Sequence, residues 1–593
     1  MPRAPRRRLL VLATFLPGTL VAQGGVPRNP FGNPARLRPV PTTAAITPRD
    51  LQVRLYQFAD DSMQGRQVGR VGNMKGTAYI AAELRKLGLR PAGDGGTFFQ
   101  VLPYHRRAFT AHSRLSVNGV PLAWEADVIA VPGPRAPRAI VGAEVVFGGV
   151  AGDTARQIAA SAAAGKFVVL LPAPAGTPAP SPQGRFGPPV PSRFADALAV
   201  ATADLDPLTP AQRRAVAAPD VATSSSGRAP GGPRAASVDS LTLLRQQVTE
   251  LAPQGVLRLT RRAAARLFGV ESIDALAPGT RGGTVNASLE YVESPSDYAR
   301  NVVAILPGSD PALAGQYVAL GAHNDHVGLT TPVDRDSLKA FNDERNRRLL
   351  ANGMVALTRE QLAAIRVDMD SIRRRVPVPR LDSINNGADD DGSGSMALLE
   401  IAEALAARRV KPRRSTLFVW HTGEEAGLVG SAFFTRHPTV PLDSIVAQLN
   451  IDMIGRGRDG DLPGGGPDYL GVVGSSFDSR DLGDTVAAVN RALPRPLALD
   501  YKFDSTLAWT GYNNIYGRSD HYNYALQGIP IAFFFTGLHG DYHQRTDEAE
   551  FIDYPHYARI TTYIRDVAVA VANGPRPRLN GTRPARPPRP VVP

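Results

Sequence analysis

The sequence predicts an α/β fold whose central sheet is mixed, mostly parallel and flanked by helices. Several apolar, strand-like runs end in polar or charged residues, and they lie at 317–328, 417–431, 447–455 and 531–547. Helical patterns separate or follow these runs, as in the segments 396–405 and 550–573. Strands that alternate with helices favour parallel pairing, and sites in such sheets assemble at the carboxyl ends of the strands.

Length and composition indicate a large globular protein without a nucleic-acid partner. The chain has 593 residues, 43% hydrophobic and 20% charged, which is ordinary for a soluble protein with two or more domains. The formal net charge of +13 comes from the two ends, because residues 1–49 hold eight Arg and residues 574–593 hold five, with no acid in either. Residues 50–573 are therefore formally neutral, and we predict no binding to nucleic acid.

The N-terminal residues have the pattern of a secretory signal peptide, which we assign to 1–23. A basic start, an apolar run from Leu9 and small residues near Ala22 predict cleavage and a secreted or periplasmic protein. An uncleaved anchor is the alternative, but Pro17 interrupts a run that is short for a membrane span, so no stable membrane anchor is expected. The absence of Cys excludes disulfides and thiolate metal ligands.

Changes in pattern divide the rest of the chain. Residues 24–45 read as a linker, and 46–109, with two helical patterns, as the first part of the main domain. Short alternating runs separated by Pro and Gly predict a β-rich domain inserted over 110–285. The alternative is that these strands extend the main sheet. The main domain resumes over 286–573.

Two further segments stand out within and after the main domain. Residues 331–379 form a charged, partly helical insertion, which would roof the site, form a dimer contact or remain a solvated helix; its charge favours the last of these. Residues 574–593 are rich in Pro and Arg and are predicted to be a disordered tail.

The most unusual stretch is NGADDDGSGSMALLE, residues 386–400. Its three consecutive carboxylates, at 389–391, repel one another in a Gly-rich turn, and a divalent cation would offset this repulsion. Taken alone, the stretch could be a solvated acidic turn that caps a helix. Other candidate ligands lie just past or near the ends of apolar runs, and this shared position favours a metal site.

Two imidazoles and three carboxylates are available as ligands, a set that suits Zn²⁺ with open coordination. They are His323, Asp390, Glu425, Asp452 and His543. Five side chains exceed what one tetrahedral ion with a bound water accepts. They suit two ions if one carboxylate bridges, and Asp390 is the predicted bridge.

Two more acids complete the predicted chemistry. Glu424, beside Glu425, is the candidate general base, and Asp325 is expected to receive the N–H of His323. Each residue alone has a plainer interpretation, since a single His at a strand end is more often structural and a Glu-Glu pair is usually surface charge. Their joint order makes coincidence improbable. His326 and His521 are predicted to line the pocket.

Together these motifs resemble the secreted dizinc aminopeptidases, typified by bacterial leucyl aminopeptidase and aminopeptidase Y and related to glutamate carboxypeptidase. The motifs are HND at 323–325, GADDDGSG at 387–394, EEAGLVGS at 424–431, DMIG at 452–455 and YHQRTD at 542–547. The resemblance covers about 300–573 and, loosely, 50–100. The long insertion between His323 and Asp390 departs from the family pattern.

The resemblance implies a zinc-exopeptidase fold and two Zn²⁺ ions. One ion would be held by His323, Asp390 and Asp452, and the other by Glu425, Asp390 and His543. Glu424 would be the general base, and Asp325 would support His323. The inserted segment resembles a protease-associated domain.

We therefore expect a secreted dizinc aminopeptidase that hydrolyses N-terminal residues from peptides through a metal-bridged water. The alternatives are a glutamate-carboxypeptidase-type enzyme, a cyclase that uses one zinc, and a non-catalytic receptor-like binding protein. A complete set of ligands argues against the last two. The side-chain preference, the residue that binds the substrate terminus and the oligomeric state stay open.

Overall fold

A computed structural model describes most of the chain. The described residues are 31–131, 137–172, 193–210, 213, 222–224, 254–354, 357–504 and 515–581. The predicted signal peptide, residues 24–30 of the predicted linker and the end of the predicted tail lie outside them. Within the described residues, no helix is long and apolar enough to cross a bilayer.

In chain order, the described strands are β1 (Arg90–Pro91), β2 (Phe99–Val101), β3 (Tyr104–Phe109), β4 (Arg114–Val117), β5 (Val120–Leu122), β6 (Val128–Val131), β7 (Ala139–Val150), β8 (Phe167–Leu171), β9 (Ala199–Thr202), β10 (Ala222–Ser224), β11 (Val256–Leu259), β12 (Arg281–Ser288), β13 (Tyr291–Ser296), β14 (Arg300–Leu306), β15 (Tyr317–His323), β16 (Gly328–Asp334), β17 (Leu381–Asn385), β18 (Ser415–His421), β19 (Ile445–Ile451), β20 (Tyr469–Val473), β21 (Ala498–Asp500) and β22 (Ile531–Phe535).

The described α-helices are α1 (Pro48–Phe58), α2 (Val71–Lys86), α3 (Ala160–Ala163), α4 (Arg261–Phe268), α5 (Arg335–Ala351), α6 (Arg359–Ala363), α7 (Met369–Arg375), α8 (Gly394–Ala407), α9 (Val429–Arg436), α10 (Ser475–Asp478), α11 (Arg480–Arg491), α12 (His521–Leu526) and α13 (Tyr554–Asn573).

The predicted mixed central sheet is confirmed. It has nine strands, in the order β1-β14-β18-β15-β19-β22-β20-β21, with β2 also paired to β14. The middle strands β18, β15, β19 and β22 pair in parallel, whereas β14 and β20 join them in antiparallel fashion. Because the parallel strands point the same way, the loops that follow them meet at one edge of the sheet.

Helices cover both faces of this sheet, as its fully buried strands require. Val318 and Leu320 of β15 belong to a core that includes α1, α2, α8 and α13, while Ala319 belongs to a second core with α9 and α12. Alternate residues of one strand thus face opposite helical layers. Helix α1 begins at the N-cap Thr47, whose side chain accepts from Asp50 N–H.

A second sheet of eight strands is built from residues between 114 and 288, in the order β5-β4-β12-β7-β8-β9-β11-β6. It has a hydrophobic core of its own, and within the described residues it shares no strand pairing with the central sheet. Strands β10, β3 and β13 form a small third sheet. This arrangement is what an inserted β-rich domain over 110–285 requires, and the assignment of that domain stays a prediction.

The charge of the insertion at 331–379 favours a solvated helix, but part of its first helix is buried in the structure. Helix α5 buries Asn342 and Asn346 against neighbouring loops, because its polar side chains bond to groups far away in the sequence. Helices α6 and α7 follow it. The insertion leaves and rejoins the main domain through the two-stranded sheet formed by β16 and β17.

Part of the predicted disordered tail is ordered. Residues 574–581 lie in the described structure, where Asn580 receives the N–H of Arg480 and donates to the carbonyl groups of Ser476 and Phe477. The composition of the tail did not indicate this anchor, because the bonds of Asn580 and Arg578 are specific contacts that a Pro- and Arg-rich pattern does not predict. Part of the predicted linker is also fixed, since Asn33 donates to the carbonyl groups of Glu550 and Ile552.

Candidate metal centre

The predicted site residues follow strands of the central sheet. Strand β15 ends at His323, β18 ends three residues before Glu424, and β19 ends one residue before Asp452. His543 lies in the loop after β22, and Asp390 lies in the turn at 388–393 that leads into α8. All of these positions converge at the carboxyl edge of the parallel strands, as predicted from the apolar runs.

His323, Asp390 and Asp452 form the first group. Nε2 of His323 lies 3.1 Å from Asp390 Oδ1 and 3.6 Å from Asp452 Oδ1. One ligand atom from each residue lies within 4.8 Å of the other two. All three side chains are buried, so the group is sheltered from bulk water.

The second group shares Asp390 with the first. Nε2 of His543 lies 2.8 Å from Asp390 Oδ2 and 3.0 Å from Glu425 Oε1. Nδ1 of His326 lies 2.9 Å from the same Glu425 oxygen and 3.7 Å from Asp390 Oδ2. The five predicted ligands are therefore brought together, with one oxygen of Asp390 facing each group.

His326 has a more specific position than the sequence indicated. We predicted only that it lines the pocket, yet with Asp390 and Glu425 it forms a group able to hold a metal ion. Its place three residues after His323, just past the end of β15, is the signal that could have identified it. His521 instead packs in the core, where it stacks on Phe533 and its Nε2 lies 2.7 Å from the Tyr516 carbonyl oxygen.

The other two acids of the Asp triplet hold the backbone around Asp390. Asp391 accepts hydrogen bonds from the N–H groups of His323 and Met453, at 2.9 and 3.2 Å, and so joins the ends of two strands. Asp389 accepts from Gly455 N–H at 2.7 Å. The three adjacent carboxylates thus point in different directions, which reduces the repulsion that the sequence implied.

Asp547 supports the same turn from the loop that carries His543. Its carboxylate accepts from the N–H groups of Asp389 and Asp390, at 3.0 and 3.1 Å. The sequence motif at 542–547 ends in Asp547 but does not indicate this role. His543 itself has a φ of 56°, and this left-handed conformation costs a non-Gly residue about 1–2 kcal/mol. The loop needs other contacts to hold it.

Asp325 lies beside His323, although its arrangement differs in detail from the prediction. Nδ1 of His323 lies 3.1 Å from the Asp325 backbone oxygen and 3.6 Å from Oδ1 of its carboxylate. That same Oδ1 accepts the N–H of Glu424 at 3.1 Å. Asp325 therefore contacts both a candidate ligand and the candidate base.

The ionisation of the site follows from its burial. Burial and Glu425 act to raise the pKa of Asp390, but the imidazoles of His323 and His543 lower it below its usual range. Burial raises the pKa of Glu424 well above its usual value, and Glu425 adds to the increase. Burial alone would lower the pKa of His323, but Asp452 and the other nearby acids raise it well above normal.

The donor set and its geometry fit a bound cation. Although His323 Nε2 lies 3.1 Å from Asp390 Oδ1, it makes no well-aligned hydrogen bond with any residue that the structure describes. The two atoms lie close together without forming a hydrogen bond, which is the arrangement expected of two ligands around one cation. Imidazole and carboxylate donors without thiolate are suited to Zn²⁺.

The part of the chain that carries these residues matches a known protein family. Residues 301–568 match the model of Peptidase family M28. This matched segment is therefore similar to that family. It contains all five predicted metal ligands, the candidate base Glu424 and Asp325.

Several known proteins are similar to part of this chain. Leupeptin-inactivating enzyme 1 of Streptomyces exfoliatus is 30% identical over 173 residues, which are 29% of this chain and 34% of that protein. A probable leucine aminopeptidase of Arthroderma otae is 29% identical over 186 residues, 30% of this chain and 44% of that protein. The chain therefore spans less than half the length of these curated relatives.

A solved structure shows similarity over a longer range. The match with BSAP, a zinc aminopeptidase from Bacillus subtilis, covers 90% of this chain and 95% of that chain, with 15% identity and a TM-score of 0.45.

Proposed function

We propose that this protein is a dizinc aminopeptidase that removes N-terminal residues from peptides. The observation that carries the proposal is the convergence of both candidate ligand groups on the carboxylate of Asp390. The match of residues 301–568 to Peptidase family M28 supports peptidase chemistry, and the aminopeptidase names of several relatives support attack at the amino end.

In this proposal, His323, Asp390 and Asp452 would hold one Zn²⁺, and Glu425, Asp390 and His543 would hold the other. His326 lies next to the second group and would either complete its coordination or orient Glu425. Bound Zn²⁺ would supply polarisation of the scissile carbonyl and a lower pKa for the attacking water. Asp390, whose pKa the two imidazoles lower, stays ionised and serves both groups.

Glu424 acts as the general base and then as the general acid. Its carboxylate takes a proton from the attacking water and returns it to the amine nitrogen as the C–N bond breaks. Burial keeps its pKa well above the normal value, and such a carboxyl group can hold the transferred proton. The bond from Glu424 N–H to Asp325 fixes the backbone from which this side chain projects.

We further propose a location outside the cytoplasm and an inserted domain. Residues 1–23 would direct the protein out of the cytoplasm, to a secreted or periplasmic location. Residues 110–285 would form a protease-associated-like domain inserted into the peptidase domain, and the eight-stranded sheet with its separate core supports this division.

A comparison of two substrate series tests the activity. We expect hydrolysis of aminoacyl-p-nitroanilides with a free amine, loss of this hydrolysis after chelation, and its return when Zn²⁺ is added. The matched N-acetyl substrates should not react, because they lack the ammonium group. Cleavage restricted to peptides with a free α-carboxylate would favour the carboxypeptidase alternative, and the absence of any chelator-sensitive cleavage would contradict both.

A further inference from the structure

Helix α5, in the charged insertion, has a buried polar seam. Asn342 and Asn346 lie one turn apart and are only 1% and 6% exposed, and Lys339 precedes them on the same face. Residues three and four apart share one side of a helix. Buried polar side chains need hydrogen-bond partners. The partners of these side chains identify the loops that helix α5 contacts.

The seam bonds to the loop that carries His543. Nδ2 of Asn342 donates to Thr546 Oγ1 at 3.0 Å, and this hydroxyl in turn donates to Asp541 Oδ1 at 2.7 Å. Nζ of Lys339 lies 3.0 Å from the other oxygen of Asp541. The side chains of Asp541 and Thr546 are buried, so these bonds are shielded from water.

The backbone of the same loop is also in direct contact with the helix. Arg345 donates to the Gly540 carbonyl at 2.6 Å. A Cβ atom added at Gly540 would lie 2.9 Å from Cβ of Asn346, so the loop approaches the helix as closely as a glycine permits. The helix therefore holds both ends of the short segment 540–546, with His543 between them.

The other ligand group has different supports. His323 and Asp452 follow β15 and β19, and Asp391 accepts from the N–H groups of His323 and Met453. The first group thus depends on the central sheet, whereas His543 lies in a loop that contacts the insertion.

We propose that helix α5 positions His543, so that the insertion sets the affinity of the Glu425–Asp390–His543 group for its cation. Asn342 and Lys339 are positioning residues, which act through Thr546 and Asp541 without contacting the cation. The inference rests on the proposed function, because it assumes that both groups bind Zn²⁺. Loss of a group that bonds directly to a metal ligand typically weakens metal binding about 10- to 100-fold, and we expect at most a loss of this size from bonds that act through the loop.

Five variants of the full chain test this inference. Thr546→Val removes the hydroxyl at constant shape, and Thr546→Ser retains it. Asn342→Ala removes the other partner of the bond. Arg347→Ala is the matched control, because this side chain lies on the same helix, is largely exposed and, among the described residues, pairs with Glu344 of the same helix. Lys339→Met provides a further variant in case the buried exchanges prevent folding.

The measurement is titration of each metal-free protein with Zn²⁺ alone, against a chromophoric competitor, with Co²⁺ absorption as a second signal. For the wild type and Arg347→Ala we expect two binding steps of unchanged affinity. For Thr546→Val, Asn342→Ala and Lys339→Met we expect one normal step and one weakened by up to about 100-fold, and Thr546→Ser should restore the second step.

Two results would overturn the inference. Wild-type affinity at both steps in Thr546→Val and Asn342→Ala would show that the helix does not influence the site. Equal weakening of both steps would show a general loss of structure rather than positioning of His543. A wild-type protein that binds no Zn²⁺ would instead refute the proposed function, and this outcome is distinguishable from the other two.

Discussion

The backbone N–H of Glu424 donates a hydrogen bond of 3.1 Å to the carboxylate of Asp325. This bond joins the loops after β15 and β18, two parallel neighbours in the central sheet. One carboxylate therefore contacts both the backbone of the candidate base and the ring of the candidate ligand His323. The effect of changing Asp325 should therefore extend to both residues.

Replacement of Asp325 separates these two roles. Asp325→Ala removes the acceptor for Glu424 and the carboxylate beside His323, and we expect kcat to fall about 10- to 100-fold. Asp325→Asn retains an acceptor and should lose less. Steady-state kinetics on an aminoacyl-p-nitroanilide checks this order. Wild-type rates in Asp325→Ala would contradict the role given to this carboxylate.

The adjacent residues Glu424 and Glu425 should respond differently to the same change. Glu424→Gln removes the base, so we expect kcat to fall about 10²- to 10⁴-fold while Zn²⁺ content is unchanged. Glu425→Gln, its matched control, should lose bound Zn²⁺ as well as activity. Kinetics combined with elemental analysis distinguishes the two effects. If Glu424→Gln also lost metal, the assignment of base and ligand would be wrong.

Much of the site was predictable because its chemistry is concentrated at strand ends. His323, Asp390 and Asp452 follow or lie near apolar runs, and the parallel order of the strands brings them to one edge. The exact contacts of Asp325 were not predictable, since the nearest group to His323 Nδ1 is a backbone oxygen. Such contacts depend on the path of a loop that no periodic pattern encodes.

The insertion shows a different limit of sequence interpretation. Asn342 and Asn346 have the composition of a solvated helix face, and nothing local distinguishes them from exposed residues. They are buried because loops more than 100 residues away, at 460–461 and 540–546, pack against them. The sequence of the helix alone therefore does not predict burial that is caused by distant segments of the chain.

A buried ion pair anchors α1 to α8, independently of the metal site. Arg54 pairs with Glu400, both with side chains only 1% exposed, and also with Glu403. Arg54→Met would leave Glu400 buried without its partner, and we expect a loss of about 3–5 kcal/mol in the free energy of unfolding. Urea unfolding measures it. The double variant Arg54→Met with Glu400→Gln should recover part of the loss, and equal losses in both proteins would argue against this pairing.

His521 should make the protein sensitive to acid. Burial lowers its pKa from 6.5 to about 3, and among the described residues its Nδ1 has no hydrogen-bond partner to receive a second proton. As the pH falls below 6.5, His521 is therefore protonated in the unfolded chain before it is protonated in the folded protein. The associated stability is complete above that pH and is lost as the pH falls towards 3.

His521→Gln removes this titrating group. Below pH 6.5, the free energy of unfolding of the variant should fall less steeply than that of the wild type, by up to about 1.4 kcal/mol per pH unit. Above pH 7 the two curves should run parallel. Urea unfolding across this range provides the measurement, and equal slopes at acid pH would show that His521 is not kept neutral by burial.

Anomalous diffraction at the zinc absorption edge, from crystals of the full protein grown with Zn²⁺, tests the central claim most directly. We predict two peaks, one on each side of the Asp390 carboxylate: the first in contact with His323 and Asp452, the second with Glu425 and His543. A single peak, or peaks away from Asp390, would contradict the proposed dizinc centre.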